Sequence, residues 1–268
     1  MELMVNHFKK AIRQGQPQLG LWSTLTNPIS TELIACCGYD WIMLDTEHSP
    51  ADMGHIVAQL QAVGAAQAVL GKPVSALVRP ACNDVVLIKR FLDMGAQTLL
   101  IPSVDTLEEA QQAVQAVRYP PLGIRGMGGP ATRAARYGQL KGYVKCCEDE
   151  ICLVIQAETQ TALENLEAMT CLEGVDGVFI GPADLSASMG YPGEPFHPQV
   201  QAAIEDAIKR IKACGKAPGI LMADLKYARR YMDLGAVFVA LGMDALVLTN
   251  GAMRILQDFE ALSHPHGS

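Results

Sequence analysis

Four segments of this 268-residue chain share one shape, a glycine followed closely by a short branched apolar run: Gly38-YDWIMLD, Gly95-AQTLLIP, Gly174-VDGVFIG and Gly235-AVFVALG. A glycine just past a helix takes up the left-handed conformation that ends it, and unbroken Val, Ile and Leu suit a strand buried on both faces of a parallel sheet. Each segment therefore reads as a helix-to-strand junction. Four more apolar runs alternate with them: QLGLWS at 18 to 23, VSALVRP at 74 to 80, ICLVIQAE at 151 to 158 and PGILMA at 218 to 223. The stretches between are amphipathic and of helical length, among them 106 to 117, where Asp105 and Glu108 have capping-box spacing, and 198 to 214. Eight such alternations in about 250 residues predict an α/β chain closed into a (β/α)8 barrel, the TIM-barrel architecture. A doubly wound open sheet would give a similar alternation. No linker-like change of composition divides the chain, so residues 1–268 read as one barrel domain. The long irregular segment 119 to 138, YPPLGIRGMGGPATRAARYG, is expected to lie over the active face.

Half of the residues are hydrophobic, enough for a sizeable core. The net charge of −7 and the lack of any basic run interleaved with aromatics argue against nucleic acid as a partner. No apolar stretch approaches the roughly 18 residues of a membrane span, and the start, MELMVNHFKKAIRQGQ, has no signal-peptide core. A cytoplasmic protein is expected. The eight cysteines include no CxxC pair, so they read as reduced packing residues rather than zinc ligands or disulfides.

In such barrels the chemistry gathers at the C-terminal strand ends. Those ends offer Trp22 after the first strand, Asp45 and His48 after the second, Arg79 after the third, Gln156 and Glu158 after the fifth, and Asp184 after the sixth. In LDTEHSP, Asp45 is placed to orient His48 as an acid or base, since a carboxylate fixes the imidazole tautomer and raises its basicity. The competing reading is an exposed loop in which Asp45 or Ser49 caps a helix beginning near Pro50. Glu158 and Asp184 end adjacent strands, and two protein oxygens completed by water and substrate are a common way to hold Mg²⁺ or Mn²⁺. A surface Glu and a helix-capping Asp are the alternative. Arg79 suits an anionic or enolate oxygen, or a structural salt bridge. None of the ten lysines ends a strand, which disfavours a Schiff base. GIRGMGG lacks a Walker ending and is a weak phosphate signal.

The stretches GLWSTL, YDWIMLDTEH, VRPACNDVVLIKRFLDMGAQTLLIP, RYPPLGIRGMGG, GVDGVFIGPADLSASMGYPG and GKAPGIL together resemble the HpcH/HpaI aldolase family, in the branch of 4-hydroxy-2-oxoheptanedioate and 2-keto-3-deoxy sugar-acid aldolases. The likeness runs from about residue 8 to 256. It implies a class II pyruvate aldolase that uses Mg²⁺, Mn²⁺ or Co²⁺ and no organic cofactor. It also implies a homohexamer, a dimer of trimers, with the last helix exchanged between neighbours. On this sequence it assigns the metal to Glu158 and Asp184, the acid/base dyad to Asp45 and His48, and the enolate contact to Arg79. Pyruvate contacts fall to Gln156 and the backbone from Gly181 through Ala183 to Asp184; Trp22, from its place at the end of the first strand, is a further substrate-binding candidate. Asp93 becomes a supporting acid that reaches a site across an interface. Two departures, DTEHSP for the usual DGEHAP and Ala157 within the QxE motif, bear on substrate range more than on chemistry. The implied reaction is reversible cleavage of a 4-hydroxy-2-oxo acid to pyruvate and an aldehyde. An oxaloacetate-type decarboxylase, a citrate-lyase-β-like lyase and a barrel without catalysis are the other readings.

Overall fold

The computed structural model describes residue 3 and residues 5–263. The chain runs α1 (His7–Arg13), β1 (Gln18–Ser23), α2 (Pro28–Cys36), β2 (Trp41–Asp45), α3 (Met53–Leu70), β3 (Ser75–Arg79), α4 (Val85–Asp93), β4 (Thr98–Ile101) and α5 (Leu107–Val117). After an irregular segment come α6 (Tyr143–Glu150), β5 (Cys152–Ala157), α7 (Gln160–Glu164), α8 (Leu166–Thr170), β6 (Gly177–Ile180), α9 (Pro182–Ser188), α10 (Pro198–Ala213), β7 (Ala217–Leu221), α11 (Leu225–Leu234), β8 (Phe238–Met243) and α12 (Asp244–Ser263). Every strand pairs in parallel with its sequence neighbours and β8 closes onto β1, so the sheet is a closed barrel rather than an open one.

Two cores form because strand side chains alternate in direction. One face packs against the helices. The other fills the barrel with Trp22, Trp41, Met43, Leu77, Leu100, Val154, Phe179 and Phe238. Small residues at Gly20 and Gly219 make room for the largest rings: a Cβ at Gly20 would lie 2.2 Å from Trp41, and one at Gly219 2.1 Å from Phe238. At the N-terminal end α1 acts as the plug. Phe8 meets Trp41 and Phe238 edge-on at centroid distances of 6.0 and 5.4 Å, and the Asn6 amide donates to Thr98 at the start of β4. With the barrel interior packed, the polar groups that end the strands gather at the C-terminal mouth, where barrels of this kind place their chemistry.

Two local expectations are corrected. The capping box of α5 is formed by Thr106 and Glu109, one residue later than Asp105 and Glu108, because the Asp105 carboxylate instead accepts from the Thr159 hydroxyl at 2.5 Å. The irregular segment does not roof its own active face. Arg125 within it is fully buried, donates to Asp93 at the C-terminal end of α4 and lies 4.4 Å above the Tyr119 ring. Arg133 donates to the Met94 carbonyl. Arg133, Arg136 and Tyr137 thus line a lateral cavity of about 720 Å³ beside Ser75, Gln97 and Thr98, at the strand starts. The buried Arg125–Asp93 pair ties the segment to that end of the barrel.

Among the described residues, no helix is long and apolar enough to cross a membrane. The last helix begins against the barrel, where buried Asp244 accepts from the Thr24 backbone and hydroxyl, both at 2.8 Å, and from Ser23. It then projects outward, with Leu246, Val247, Leu248, Met253, Ile255 and Leu256 exposed.

Candidate active site

Strand parity decides which polar groups enter the barrel mouth. Asp45 follows Trp41 and Met43 on the inward side of β2, Arg79 follows Leu77 on β3, and Gln156 follows Cys152 and Val154 on β5. The register sets Asp45 beside Arg79 directly. The resulting pair is bidentate and buried: Arg79 Nε to Asp45 Oδ1 at 2.8 Å and Nη2 to Oδ2 at 2.7 Å. Glu47, two positions on from Asp45, approaches Arg79 Nη1 at 2.7 Å, although off the hydrogen-bonding direction. Trp22 lies beneath, with its ring centroid 5.2 Å from the guanidinium carbon. Burial pulls the Arg79 pKa down, but Asp45 and Glu47 outweigh it and hold the group above its ordinary value.

Glu158, just past β5, is 4% exposed and gripped on both oxygens. Oε1 accepts from the Ser103 backbone at 2.9 Å and from its hydroxyl at 3.1 Å, while Oε2 accepts from the Gln156 amide. Gly181 closes the far side, where a Cβ would fall 2.6 Å from Oε2. Burial pushes the Glu158 pKa up, hydrogen bonds from Gln156 and Ser103 oppose this, and the charge of Asp184 adds to the rise. Asp184 occupies the first turn of α9, whose N-cap is Gly181 without a side-chain cap, so Asp184 does not cap that helix.

These observations fit a cation. Four carboxyl groups, on Asp45, Glu47, Glu158 and Asp184, share this mouth with the one guanidinium of Arg79, and Glu158's hydrogen-bond partners are all neutral. Gln156 Oε1 is a buried acceptor without a partner. Hard oxygen donors facing an unbalanced negative charge are the chemistry that Mg²⁺ and Mn²⁺ require.

Of the residues singled out in the sequence, Trp22, Asp45, Arg79, Gln156, Glu158, Gly181 and Asp184 therefore meet at one mouth. Ala183 lies in the same first turn as Asp184. The pairing of Asp45 with His48 differs from expectation. Both Asp45 oxygens go to Arg79, with Oδ1 also accepting from Glu47 N, and the His48 side chain is 69% exposed with Nε2 3.8 Å from Glu47 Oε2. A buried guanidinium competes for the carboxylate more strongly than an exposed imidazole does. Nor does Asp45 or Ser49 cap the next helix: α3 starts at Met53, with Asp52 and His55 forming the box. Asp93 stands away from this mouth, on Arg125.

Sequence reasoning assigned no role to Glu47, one of three ionisable residues in LDTEHSP, or to Ser103. Glu47 has the parity of Asp45, so continuing the strand's alternation two residues past its end would have found it. The left-handed backbone of Ser103 leaves no such mark in the sequence.

A closed parallel barrel whose C-terminal mouth holds Arg79 paired with Asp45 and Glu47, beside Glu158 and Asp184, has the form of a (β/α)8 enzyme site. The chain belongs to the HpcH/HpaI aldolase/citrate lyase family, whose model matches residues 18–251. It is similar to a pyruvate aldolase of Rhizobium etli, 52% identical over 259 residues that cover 97% of this chain and 99% of the relative. A 4-hydroxy-2-oxo-heptane-1,7-dioate aldolase of Salmonella paratyphi A is 49% identical over 265 residues, 99% of this chain and 98% of that one. Among solved structures, an HpcH/HpaI aldolase/citrate lyase family protein from Burkholderia cenocepacia superposes with a TM-score of 0.91 at 33% identity, over 96% of this chain and 100% of its own. The protein is accordingly a carbon–carbon lyase of the aldolase type.

Proposed function

We propose that the protein reversibly cleaves 4-hydroxy-2-oxo acids, of the heptanedioate or 2-keto-3-deoxy sugar-acid kind, to pyruvate and an aldehyde. The observation that carries this reading is the juxtaposition of a buried, doubly paired Arg79 with the caged Glu158 at one barrel mouth. Glu158 and Asp184 would hold the divalent ion, Mg²⁺, Mn²⁺ or Co²⁺. When bound, it supplies Lewis-acid polarisation of the 2-oxo group.

The chain's own residues do the rest. Asp45 and Glu47 fix the Arg79 plane and leave its remaining N–H groups to the 2-oxo oxygen as it gains enolate charge; such preorganised donors stabilise a developing oxyanion without moving. The uncapped backbone N–H groups of Ala183 and Asp184 receive the substrate carboxylate, since Pro182 has no N–H and that of Gly181 donates to the Ala157 carbonyl. Trp22 forms the floor under Arg79 and keeps water from that side. His48 takes the 4-hydroxyl proton through water and returns it in the condensation direction, with Glu47 as the carboxylate beside its Nε2. All eight cysteines are free, which suits the reducing cytoplasm proposed for the enzyme. The exposed apolar face of α12 supports a homo-oligomer, a dimer of trimers, in which that helix packs on a neighbouring copy.

Exposure of His48 favours one alternative, decarboxylation of a dicarboxylic oxo acid such as oxaloacetate, which removes no proton from a 4-hydroxyl. Kinetics on two variants separate the readings. His48→Ala should lower kcat for aldol cleavage by ~10² to 10⁴ while largely sparing oxaloacetate decarboxylation. Arg79→Ala should depress both reactions, because both pass through the pyruvate enolate. Aldol cleavage within about twofold of the parent after His48→Ala would remove His48 from the mechanism.

A further inference from the structure

Ser103 follows β4 at the C-terminal mouth with φ +51, a left-handed conformation that glycine adopts freely and a residue with a Cβ does not. Its backbone N–H reaches Glu158 Oε1 at 2.9 Å, a bond that glycine would make equally well and without strain. What serine adds is the hydroxyl, at 3.1 Å from the same oxygen. With Gln156 on the other oxygen and Gly181 leaving no space behind it, the carboxylate has little freedom to rotate. Removing the hydroxyl leaves Oε1, among the described residues, with the Ser103 backbone N–H as its hydrogen-bond donor and loosens the carboxylate on that side.

We propose that Ser103 is a positioning residue for Glu158: its hydroxyl aims the carboxylate at a divalent cation held with Asp184, and the strained backbone is the cost of that bond. The inference rests on the metal assignment above. Groups that orient a metal ligand typically change affinity by 10- to 100-fold when lost, whereas relief of left-handed strain acts on stability. The two effects therefore move in opposite directions at this one position, which a merely structural serine would not do.

The test is Mn²⁺ binding to the metal-stripped chain, followed by the electron paramagnetic resonance signal of free Mn²⁺, together with urea unfolding without metal. Ser103→Ala and Ser103→Gly should each bind Mn²⁺ at least fivefold more weakly than the parent, and Ser103→Gly should unfold at a higher urea concentration than Ser103→Ala. If the parent binds Mn²⁺ and both variants stay within fivefold, the positioning role is overturned and the metal site stands. If the parent itself takes up no Mn²⁺, the metal assignment falls and this inference falls with it. Ser103→Gly, which keeps the backbone bond and relieves strain, guards against loss of the alanine variant to misfolding.

Discussion

Asp45 and Glu47 divide the Arg79 guanidinium between them, Asp45 through two hydrogen bonds and Glu47 through a close contact. Burial raises the Glu47 pKa more than Arg79 lowers it, and the charges of Glu158 and Asp45 push the same way. A carboxyl whose folded pKa lies above its unfolded value holds its proton more tightly in the native state. Its contribution to stability is therefore full below the unfolded value and is lost as pH rises through the folded one. Glu47→Gln cannot ionise, so it should be more stable than the parent above that folded value and converge on it below. Thermal unfolding between about pH 4 and 8 reads this directly. A stability difference that ignores pH, or one favouring the parent at the upper end, would contradict it. Such a variant gains stability at the expense of Arg79 geometry, a common trade at active sites. At this level the sequence was informative wherever a polar residue ended an apolar strand, as Arg79 and Glu158 do. It was silent where the partner was chosen by competition in space: nothing in LDTEHSP says that a guanidinium 34 positions away takes Asp45 from His48.

Helix ends and strand runs were legible for a related reason. Glycine after a helix and unbroken Val, Ile and Leu are local consequences of backbone conformation and two-sided burial, and β1 falls on the 18 to 23 expected for it. Capping was harder to read, because Asp105 and Thr106 both suit an N-cap and the choice was made by Thr159 on a distant loop. The irregular segment was placed wrongly because its anchor, the Arg125 to Asp93 pair, is a contact between distant residues. The helix α12 is the element whose own barrel does least to bury it. Leu248 and Ile255, seven positions apart and therefore near one face, are 63% and 73% exposed. If that face packs on a neighbouring copy, light scattering should give the parent a mass near six chains of 28.8 kDa. Leu248→Glu with Ile255→Glu should give a smaller assembly with an intact barrel. A monomeric parent would remove the proposed exchange of this helix.

The whole molecule assigns stability and chemistry to opposite ends. The N-terminal end is closed by Phe8 and its aromatic neighbours, the interior is filled by Trp41, Phe179 and Phe238, and the C-terminal mouth gathers the charges. A packed core of that kind does not depend on Glu158 or Asp184, so those carboxylates can be removed with the barrel intact. The most direct test of the account is pyruvate release from 4-hydroxy-2-oxoheptanedioate by protein stripped of metal with a chelator, before and after Mg²⁺, Mn²⁺ or Co²⁺ is returned. Expected are no release from the stripped protein, restoration of equal pyruvate and aldehyde with metal, and no restoration in Glu158→Ala or Asp184→Ala although both variants still unfold as folded barrels. Full cleavage by the stripped protein, undiminished in both variants, would contradict it.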